Sequence, residues 1–135
     1  MRRRKRREGF TLVELLIVLA IISSLVSVVT PTAINAIRKA KATQVGVNMR
    51  NLNIAVTQYV TLNSTIPSTI SDLVPGYVSR WPGSEYTIET VTATKITICY
   101  DAVAGGADPI LIRQVYPALE ASGNKLCFTV TLFGP

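Results

Sequence analysis

Residues 9–31 read GFTLVELLIVLAIISSLVSVVTP, a nearly continuous apolar segment that follows a block of charged residues. The twenty-one residues from Phe10 to Thr30 are enough, at about 1.5 Å per helical residue, to cross a bilayer core of about 30 Å. The segment therefore predicts a membrane-spanning helix. It contains one carboxylate, Glu14, and a carboxylate in such a segment needs a physical reason.

The charges on either side of this segment predict its orientation. Six Lys and Arg residues precede it within residues 2–7, and three follow soon after it within residues 38–41. Because basic residues stay on the cytoplasmic side, we expect a cytoplasmic N-terminus and an exported remainder. A cleaved secretory signal also begins with positive charge, but its apolar region is about 7–15 residues long. Here the segment is longer and continues past Pro31 into an amphipathic pattern.

The residues around Gly9 resemble the class III signal of type IV prepilins and the related pseudopilins. Gly9 precedes Phe10, the acidic Glu14 lies four positions beyond Phe10, the leader is short and basic, and a proline follows at Pro31. The resemblance implies that a prepilin peptidase cuts after Gly9 on the cytoplasmic side. It also implies methylation of the new amino group, which makes Phe10 N-methylphenylalanine, and polymerisation of the mature chain into a filament. Beyond about residue 40 the resemblance holds only in outline.

Cleavage after Gly9 would change the charge of the chain. The leader holds six of the fourteen Lys and Arg residues and one of the eight Asp and Glu residues, so residues 10–135 carry a net charge of +1. Nucleic-acid binding depends on clustered positive charge, so we expect nucleic acid as a partner only at the level of the filament. The basic residues within 38–50 predict a solvated or lipid-facing helix surface, with a partner or DNA contact as the alternative.

Beyond Pro31 the pattern becomes amphipathic. Apolar residues recur at spacings of three, four or eight, as on one face of a helix: Ile34, Ile37, Val45, Met49, Leu52, Val56 and Tyr59. We therefore expect one helix over about residues 10–62, roughly 80 Å long, whose C-terminal half packs on a small domain. Its first half must be covered by lipid before assembly and by the helices of other subunits afterwards.

Pro31 marks the weakest part of the predicted helix. Proline removes the hydrogen bond to the carbonyl four residues back, which belongs to Ser27. Residues 23–30 are rich in Ser, Val and Thr, which are mediocre helix formers. We expect the helix to be kinked near Pro31 or unwound there, as in the filaments of the family that the chain resembles, and both outcomes stay open.

Glu14 is the strongest candidate for a functional residue. A carboxylate within hydrocarbon is costly and usually pairs with another group. Because Glu14 lies near the interface, its side chain can reach the lipid headgroups. The family resemblance implies a different partner, the terminal ammonium of Phe10 on a neighbouring subunit, which is mostly charged at neutral pH. Such a pair would set the axial register of the filament, with Phe10, Glu14 and Pro31 as the assembly residues.

Three segments in the C-terminal half alternate as half-buried strands do, namely residues 86–89, 95–101 and 125–133. Their apolar faces are expected to pack on the helix: Ile96, Ile98 and Tyr100 on one strand, and Leu126, Phe128, Val130 and Leu132 on another.

Cys99 and Cys127 each lie on the polar face of their strand, opposite the apolar face. Antiparallel strands can bring such residues together, and export permits oxidation. Two free thiols or a metal pair are the alternatives, although two cysteines without histidine make a poor metal site. We favour a disulfide, which also resembles the C-terminal disulfide loop of type IV pilins. It would close a loop of about 29 residues and stabilise the small C-terminal domain by roughly 3–4 kcal/mol.

These patterns predict an α+β chain with the pilin fold, in which a long N-terminal helix packs by its C-terminal half on a small antiparallel β-sheet. The expected segments are a cleaved leader (1–9), an apolar membrane and assembly helix (10–30), the amphipathic half of the helix (31–62), a connecting loop with one helical turn (63–84) and a β-sheet head with a disulfide loop (85–135). Residues 104–109 predict an exposed turn, and a fourth strand within residues 109–120 stays an open question.

The resemblance implies a structural subunit of a type IV pilus, which serves adhesion, twitching motility or DNA uptake. The alternatives are a pseudopilin of a type II secretion system and a membrane-anchored binding module that never polymerises. The disulfide favours a pilin, because major pseudopilins more often use a calcium site in its place. The chain has no histidine, no Gly-rich phosphate loop and no carboxylates at metal-ligand spacing, so we expect no enzymatic activity, no cofactor and no metal site.

The same resemblance implies the partners and the location of the chain. The partners are further copies of the chain in a helical homopolymer, a prepilin peptidase, the inner-membrane pilus assembly platform, and the membrane itself before assembly. The precursor is expected in the inner membrane with a cytoplasmic N-terminus, and the assembled filament at the cell surface.

Overall fold

The computed structural model of the chain describes residues 9–131, and these contain four helices and four strands. The elements are α1 (Leu12–Asn63), α2 (Ile70–Leu73), β1 (Tyr86–Val91), β2 (Lys95–Asp101), α3 (Ala102–Gly105), α4 (Pro109–Val115), β3 (Glu120–Ser122) and β4 (Lys125–Thr131). They divide into two compact units between Ile37 and Arg38. Apart from Gly9, the predicted leader lies outside the described residues, as do Leu132 and Phe133 of the predicted third strand.

The first unit is formed by the N-terminal part of α1. The large apolar side chains from Phe10 to Val29 are all exposed, with exposed fractions of 47–89%. Of the described helices, α1 alone is long and apolar enough to cross a membrane. An exposed apolar surface of this size marks a membrane or protein contact. This unit therefore requires cover by lipid or by other chains.

The helix α1 continues through Pro31 without a break. Four hydroxyl side chains near it, those of Ser24, Ser27, Thr30 and Thr32, donate to carbonyls three or four residues back, at 2.7–3.4 Å. Such bonds slightly destabilise helices and often bend them. Residues 23–30 are thus helical in the single chain, and the unwinding expected there stays a prediction for the filament.

The second unit packs the C-terminal part of α1 against the sheet. The large helix residues in its core are Val45, Met49, Leu52 and Val56, which recur every three or four positions and so share one face. The sequence predicted that Ile34 and Ile37 belong to the same buried face. That prediction was wrong, since they are 46% and 60% exposed. The reason is that periodicity identifies an apolar face of a helix without identifying what covers it.

The four strands form one antiparallel sheet in the order β1-β2-β4-β3. Its inner face carries the predicted apolar residues Ile96, Ile98 and Tyr100 of β2, together with Leu126 and Phe128 of β4, and all five are buried. The register places Ile98 opposite Phe128. The predicted α+β fold, a long N-terminal helix packed on an antiparallel sheet, is confirmed.

The chain between β2 and β4 is more structured than the sequence predicted. Residues 104–109, predicted as an exposed turn, begin inside α3, and Ala107 is buried. The next segment forms α4, whose Ile112 enters the core. The fourth strand is β3, which begins at Glu120 and pairs with β4. Segments as short as α4 and β3 carry too little periodicity for a prediction.

Candidate assembly segment

The predicted cleavage junction lies just before α1. Gly9 and Phe10 have no regular secondary structure and both are exposed, Phe10 by 89%. A methyl group added at Gly9 would meet no heavy atom within 4 Å. Packing within the described chain therefore does not require glycine at this position, and the junction is accessible.

Glu14 is hydrogen-bonded to Thr11 at the first turn of α1. Its Oε2 atom accepts the backbone N–H of Thr11 at 2.8 Å and the Thr11 hydroxyl at 2.9 Å. In return, the backbone N–H of Glu14 donates to Thr11 Oγ1 at 3.2 Å. The two residues form a capping box, in which each side chain satisfies a backbone N–H that the helix leaves free.

Thr11 is a site residue that the sequence analysis missed. The signal was present, because Thr11-x-x-Glu14 before an apolar run is the usual sequence of a capping box. The pairing gives Glu14 a partner within its own chain, and part of the cost of placing a carboxylate in an apolar segment is offset before any second chain binds. Glu14 is therefore both a helix cap and the one acidic group of the exposed apolar surface.

The predicted assembly residues occupy two places along α1. Phe10 and Glu14 lie at its start, where the chain enters the helix. Pro31 lies in the helix interior, about 25 Å further along the axis at 1.5 Å per residue. The described chain does not bring Pro31 to the other two, so any shared role must come from contacts with other copies.

The two cysteines are joined across the sheet. Cys99 of β2 lies directly opposite Cys127 of β4, with a Cα–Cα distance of 4.1 Å, and the two form a disulfide. Both are buried. The disulfide ties together the two central strands, and the intervening chain contains α3, α4 and β3.

A polar surface covers the sheet around this disulfide. Thr97 and Thr129 are paired through their hydroxyls at 3.0 Å, and Lys125 Nζ donates to Glu89 Oε1 at 2.5 Å. The Lys125 hydrogen bond is the main cause that holds the pKa of Glu89 below its ordinary value. Both partners are exposed to solvent, so this ion pair contributes little to stability.

One buried hydroxyl makes no hydrogen bond of standard geometry among residues 9–131, and the backbone N–H of Ala107 is only a weak donor to it. Tyr100 Oη lies inside the core, where burial raises the pKa of Tyr100 to about 12. A methyl group added at Gly105 would collide with this hydroxyl and with Cε2 of the ring. Gly105 therefore provides the space that Tyr100 occupies.

The described residues contain no group of three or more Cys, Asp or Glu side chains that could hold a metal ion. The carboxylates instead serve local structure. Asp72 Oδ2 accepts the backbone N–H groups of Thr69 and Ser68, both at 2.8 Å, and these bonds lower the pKa of Asp72. Asp101 and Asp108 accept backbone N–H groups at the starts of α3 and α4.

A family model of the prokaryotic N-terminal methylation motif matches residues 4–30. No curated protein and no solved structure shows significant similarity to the chain. The match covers the predicted cleavage junction, Thr11, Glu14 and the exposed apolar part of α1. The motif indicates a structural protein made as a precursor of the pilin or pseudopilin type. Together with the long N-terminal helix and the antiparallel sheet, this match is consistent with a type IV pilin-like protein.

Proposed function

We propose that the chain is the precursor of a structural subunit of a type IV pilus. A prepilin peptidase removes residues 1–9, the amino group of Phe10 is methylated, and the mature chain polymerises through its N-terminal helix. The observation that carries the proposal is the methylation motif at residues 4–30, which coincides with the N-terminal part of α1, whose large apolar side chains are all exposed. The polymer would cover that surface.

The membrane is the first partner of this helix. The apolar side chains from Phe10 to Val29 are of the right number and character for a bilayer span, and the basic leader holds the N-terminus in the cytoplasm. The second unit is then exported, in an oxidising environment that suits the Cys99–Cys127 disulfide. The inner-membrane assembly platform moves the helix from lipid into the filament.

Glu14 sets the axial position that each subunit takes when its helix enters the filament. Cleavage after Gly9 creates an ammonium group at Phe10, four residues before the carboxylate. In a filament, the ammonium of one subunit can reach the Glu14 carboxylate of its neighbour. Because an unpaired charge in an apolar interior is costly, only the axial position that pairs the two groups is stable. Thr11 holds the carboxylate until that partner arrives.

The disulfide favours a pilus subunit over a pseudopilin of type II secretion. It closes the C-terminal loop of the head, and loops of this region form much of the outer surface of a filament. Pilus filaments are exposed at the cell surface, where a covalent cross-link stabilises a small head against mechanical and chemical stress. We propose adhesion, twitching motility and DNA uptake as the uses of the filament.

The test is assembly in a bacterial host that supplies a prepilin peptidase and an assembly platform but lacks its own pilus subunit. We expect surface filaments that can be sheared off, seen by electron microscopy and shown to consist of this chain. A full-length, uncleaved chain that stays monomeric in the inner membrane would contradict the proposal and favour a membrane-anchored binding module. Short filaments that never leave the cell envelope would favour a pseudopilin.

A further inference from the structure

A groove of about 570 Å³ lies in the second unit, between α1 and the segment 77–82. Its volume is in the range of small-molecule sites. The wall that α1 forms carries four amide side chains, those of Gln44, Asn48, Asn51 and Gln58. Their spacings of four, three and seven residues place them on one face of the helix. We call this feature the amide groove.

Most of the hydrogen-bonding capacity of this wall is free. Asn48 Nδ2 donates to Tyr86 Oη at 3.1 Å. Gln44, Asn51 and Gln58 are exposed, and within the part of the chain that the structure describes their side chains form no hydrogen bond to another residue. Each amide offers two N–H donors and a carbonyl acceptor. The wall therefore presents a row of paired donors and acceptors to whatever enters the groove.

The opposite wall is held in place by hydrogen bonds from outside the groove. Trp81 Nε1 donates to the backbone carbonyl of Tyr86 at 2.9 Å, which fixes the half-buried indole. The Tyr77 hydroxyl accepts from Asn63 Nδ2 at 3.0 Å, and its ring packs edge-on against Tyr59 with centroids 5.3 Å apart. A wall that is already ordered loses little conformational entropy when a ligand binds.

The charge of the groove limits its ligand. Arg80 is the one charged side chain among the lining residues, and none of them is a carboxylate. A single guanidinium is too little for a nucleic-acid backbone, which needs clustered positive charge. The four amides interrupt the apolar part of the lining, which includes Leu52, Ile54 and Val78, so the groove does not suit the continuous apolar face of a partner helix. A neutral or mildly acidic ligand with many hydroxyl groups matches both the single positive charge and the row of amides.

We propose that the amide groove binds an oligosaccharide. Amide side chains pair with adjacent hydroxyl groups through their donor and acceptor, and the aromatic rings of Tyr77 and Trp81 can pack on the apolar face of a sugar ring. Arg80 forms a bidentate contact with a carboxylate, so acidic sugars bind more tightly than neutral ones. The inference rests on the proposed function only in requiring that the second unit be exported, since the groove lies within one chain.

The test measures glycan binding by the full chain, purified in detergent, on an array of neutral and carboxylated oligosaccharides. Asn51→Ala and Gln58→Ala remove exposed amides at helical positions where alanine is well tolerated. Each is expected to weaken binding by about three- to tenfold, the effect of one lost hydrogen bond. Gln114→Ala removes an exposed amide on α4, away from the groove, and is expected to leave binding unchanged.

Arg80→Gln separates the two parts of the proposal. It should bring the affinity for carboxylated sugars down to that for their neutral counterparts, while the neutral sugars bind as before. Binding that is equally strong in the Asn51→Ala, Gln58→Ala and unmodified chains would overturn the proposal. So would the absence of glycan binding by both the purified chain and the filament.

Two further results distinguish this proposal from others. If Asn51→Ala reduces filament yield and the chain binds no glycan, the groove is a contact with a second copy, and the oligosaccharide proposal fails. The Glu14→Ala chain is expected to bind glycans normally even though it does not assemble. Glycan binding by a chain that forms no filaments would therefore support the groove proposal while the filament proposal fails.

Discussion

The carboxylate of Glu14 accepts both the backbone N–H and the hydroxyl of Thr11, at 2.8 and 2.9 Å. This relationship gives Glu14 two separable functions. As a hydrogen-bond acceptor it caps α1, and in the proposed filament its charge pairs with the ammonium of a neighbouring Phe10. A glutamine keeps the first function, because Glu and Gln serve equally in a capping box, and loses the second.

We therefore predict that Glu14→Ala and Glu14→Gln both insert into the membrane and are cleaved after Gly9, but that neither forms ordered filaments. The charge, which both variants lose, sets the register in the proposed mechanism. Immunoblots of membrane fractions report insertion and cleavage, and electron microscopy of sheared material reports assembly. Normal filaments from Glu14→Gln would mean that capping, and not charge, is what assembly requires.

The disulfide is predicted to supply a large part of the stability of the second unit. Replacing both cysteines, Cys99→Ser with Cys127→Ser, should lower the free energy of unfolding by roughly 3–4 kcal/mol, because the cross-link restricts the unfolded chain. The single tryptophan, Trp81, lies in this unit, so its fluorescence during denaturant titration of the full chain in detergent reports the change.

The neighbouring cross-strand pair Thr97 and Thr129 provides a matched control, since it connects the same two strands without a covalent bond. Replacing both threonines by valine should cost no more than about 1 kcal/mol. Equal losses from the cysteine and threonine replacements would show that the covalent cross-link adds nothing to strand pairing.

The core around Tyr100 gives a prediction of opposite sign for two neighbouring substitutions. Tyr100→Phe removes a buried hydroxyl that makes no hydrogen bond of standard geometry, so it should leave the stability unchanged or raise it by about 1 kcal/mol. Gly105→Ala should destabilise by about 1–3 kcal/mol, because the new methyl group overlaps the Tyr100 side chain.

The double variant Tyr100→Phe with Gly105→Ala should recover only part of that loss. The ring atom Cε2, 2.6 Å from the added methyl position, remains in phenylalanine. Denaturant titration of the three variants checks these values. A clear loss of stability in Tyr100→Phe alone would show that the hydroxyl is hydrogen-bonded in solution.

The carboxylates Asp72 and Glu89 predict how the stability depends on pH. Backbone N–H groups of Thr69 and Ser68 lower the pKa of Asp72 from its ordinary 3.8, and the hydrogen bond from Lys125 is the largest cause that lowers the pKa of Glu89 from 4.5. A group whose pKa is lower in the folded state stabilises that state above its ordinary pKa. This contribution is lost as the pH falls through the lowered pKa.

Denaturant midpoints measured from about pH 7 to about pH 3 should therefore fall at the acidic end. The fall should be smaller in Glu89→Gln and in Asp72→Asn, which do not titrate. Glu120→Gln replaces an exposed carboxylate at the start of β3 and serves as the reference for a substitution without consequence. Identical acid sensitivity in all variants would remove these two groups from the account.

The sequence was sufficient to predict the elements that rely on long periodic patterns. α1 repeats its apolar residues over many turns, and β2 alternates apart from Cys99, so both were predictable before the structure was known. α4 was not, because its seven residues span two turns and its Ile112 gives no sign of being buried. Ile34 and Ile37 follow the pattern of α1 but find no cover in the described chain.

The candidate assembly segment was predictable for a different reason. Gly9, Phe10 and Glu14 are adjacent in a local motif, and so is Thr11, whose role follows from the same few residues. The amide groove could not be predicted, because its two walls are distant in the sequence and come together only through the fold of the second unit.

The most direct test of the central claim is the mass of the N-terminal peptide in filaments sheared from the cell surface. The account predicts that every subunit begins at Phe10 and carries a methyl group on its amino nitrogen. Filaments whose subunits still begin at Met1, or a Phe10 terminus found only in membrane-bound monomers, would contradict it.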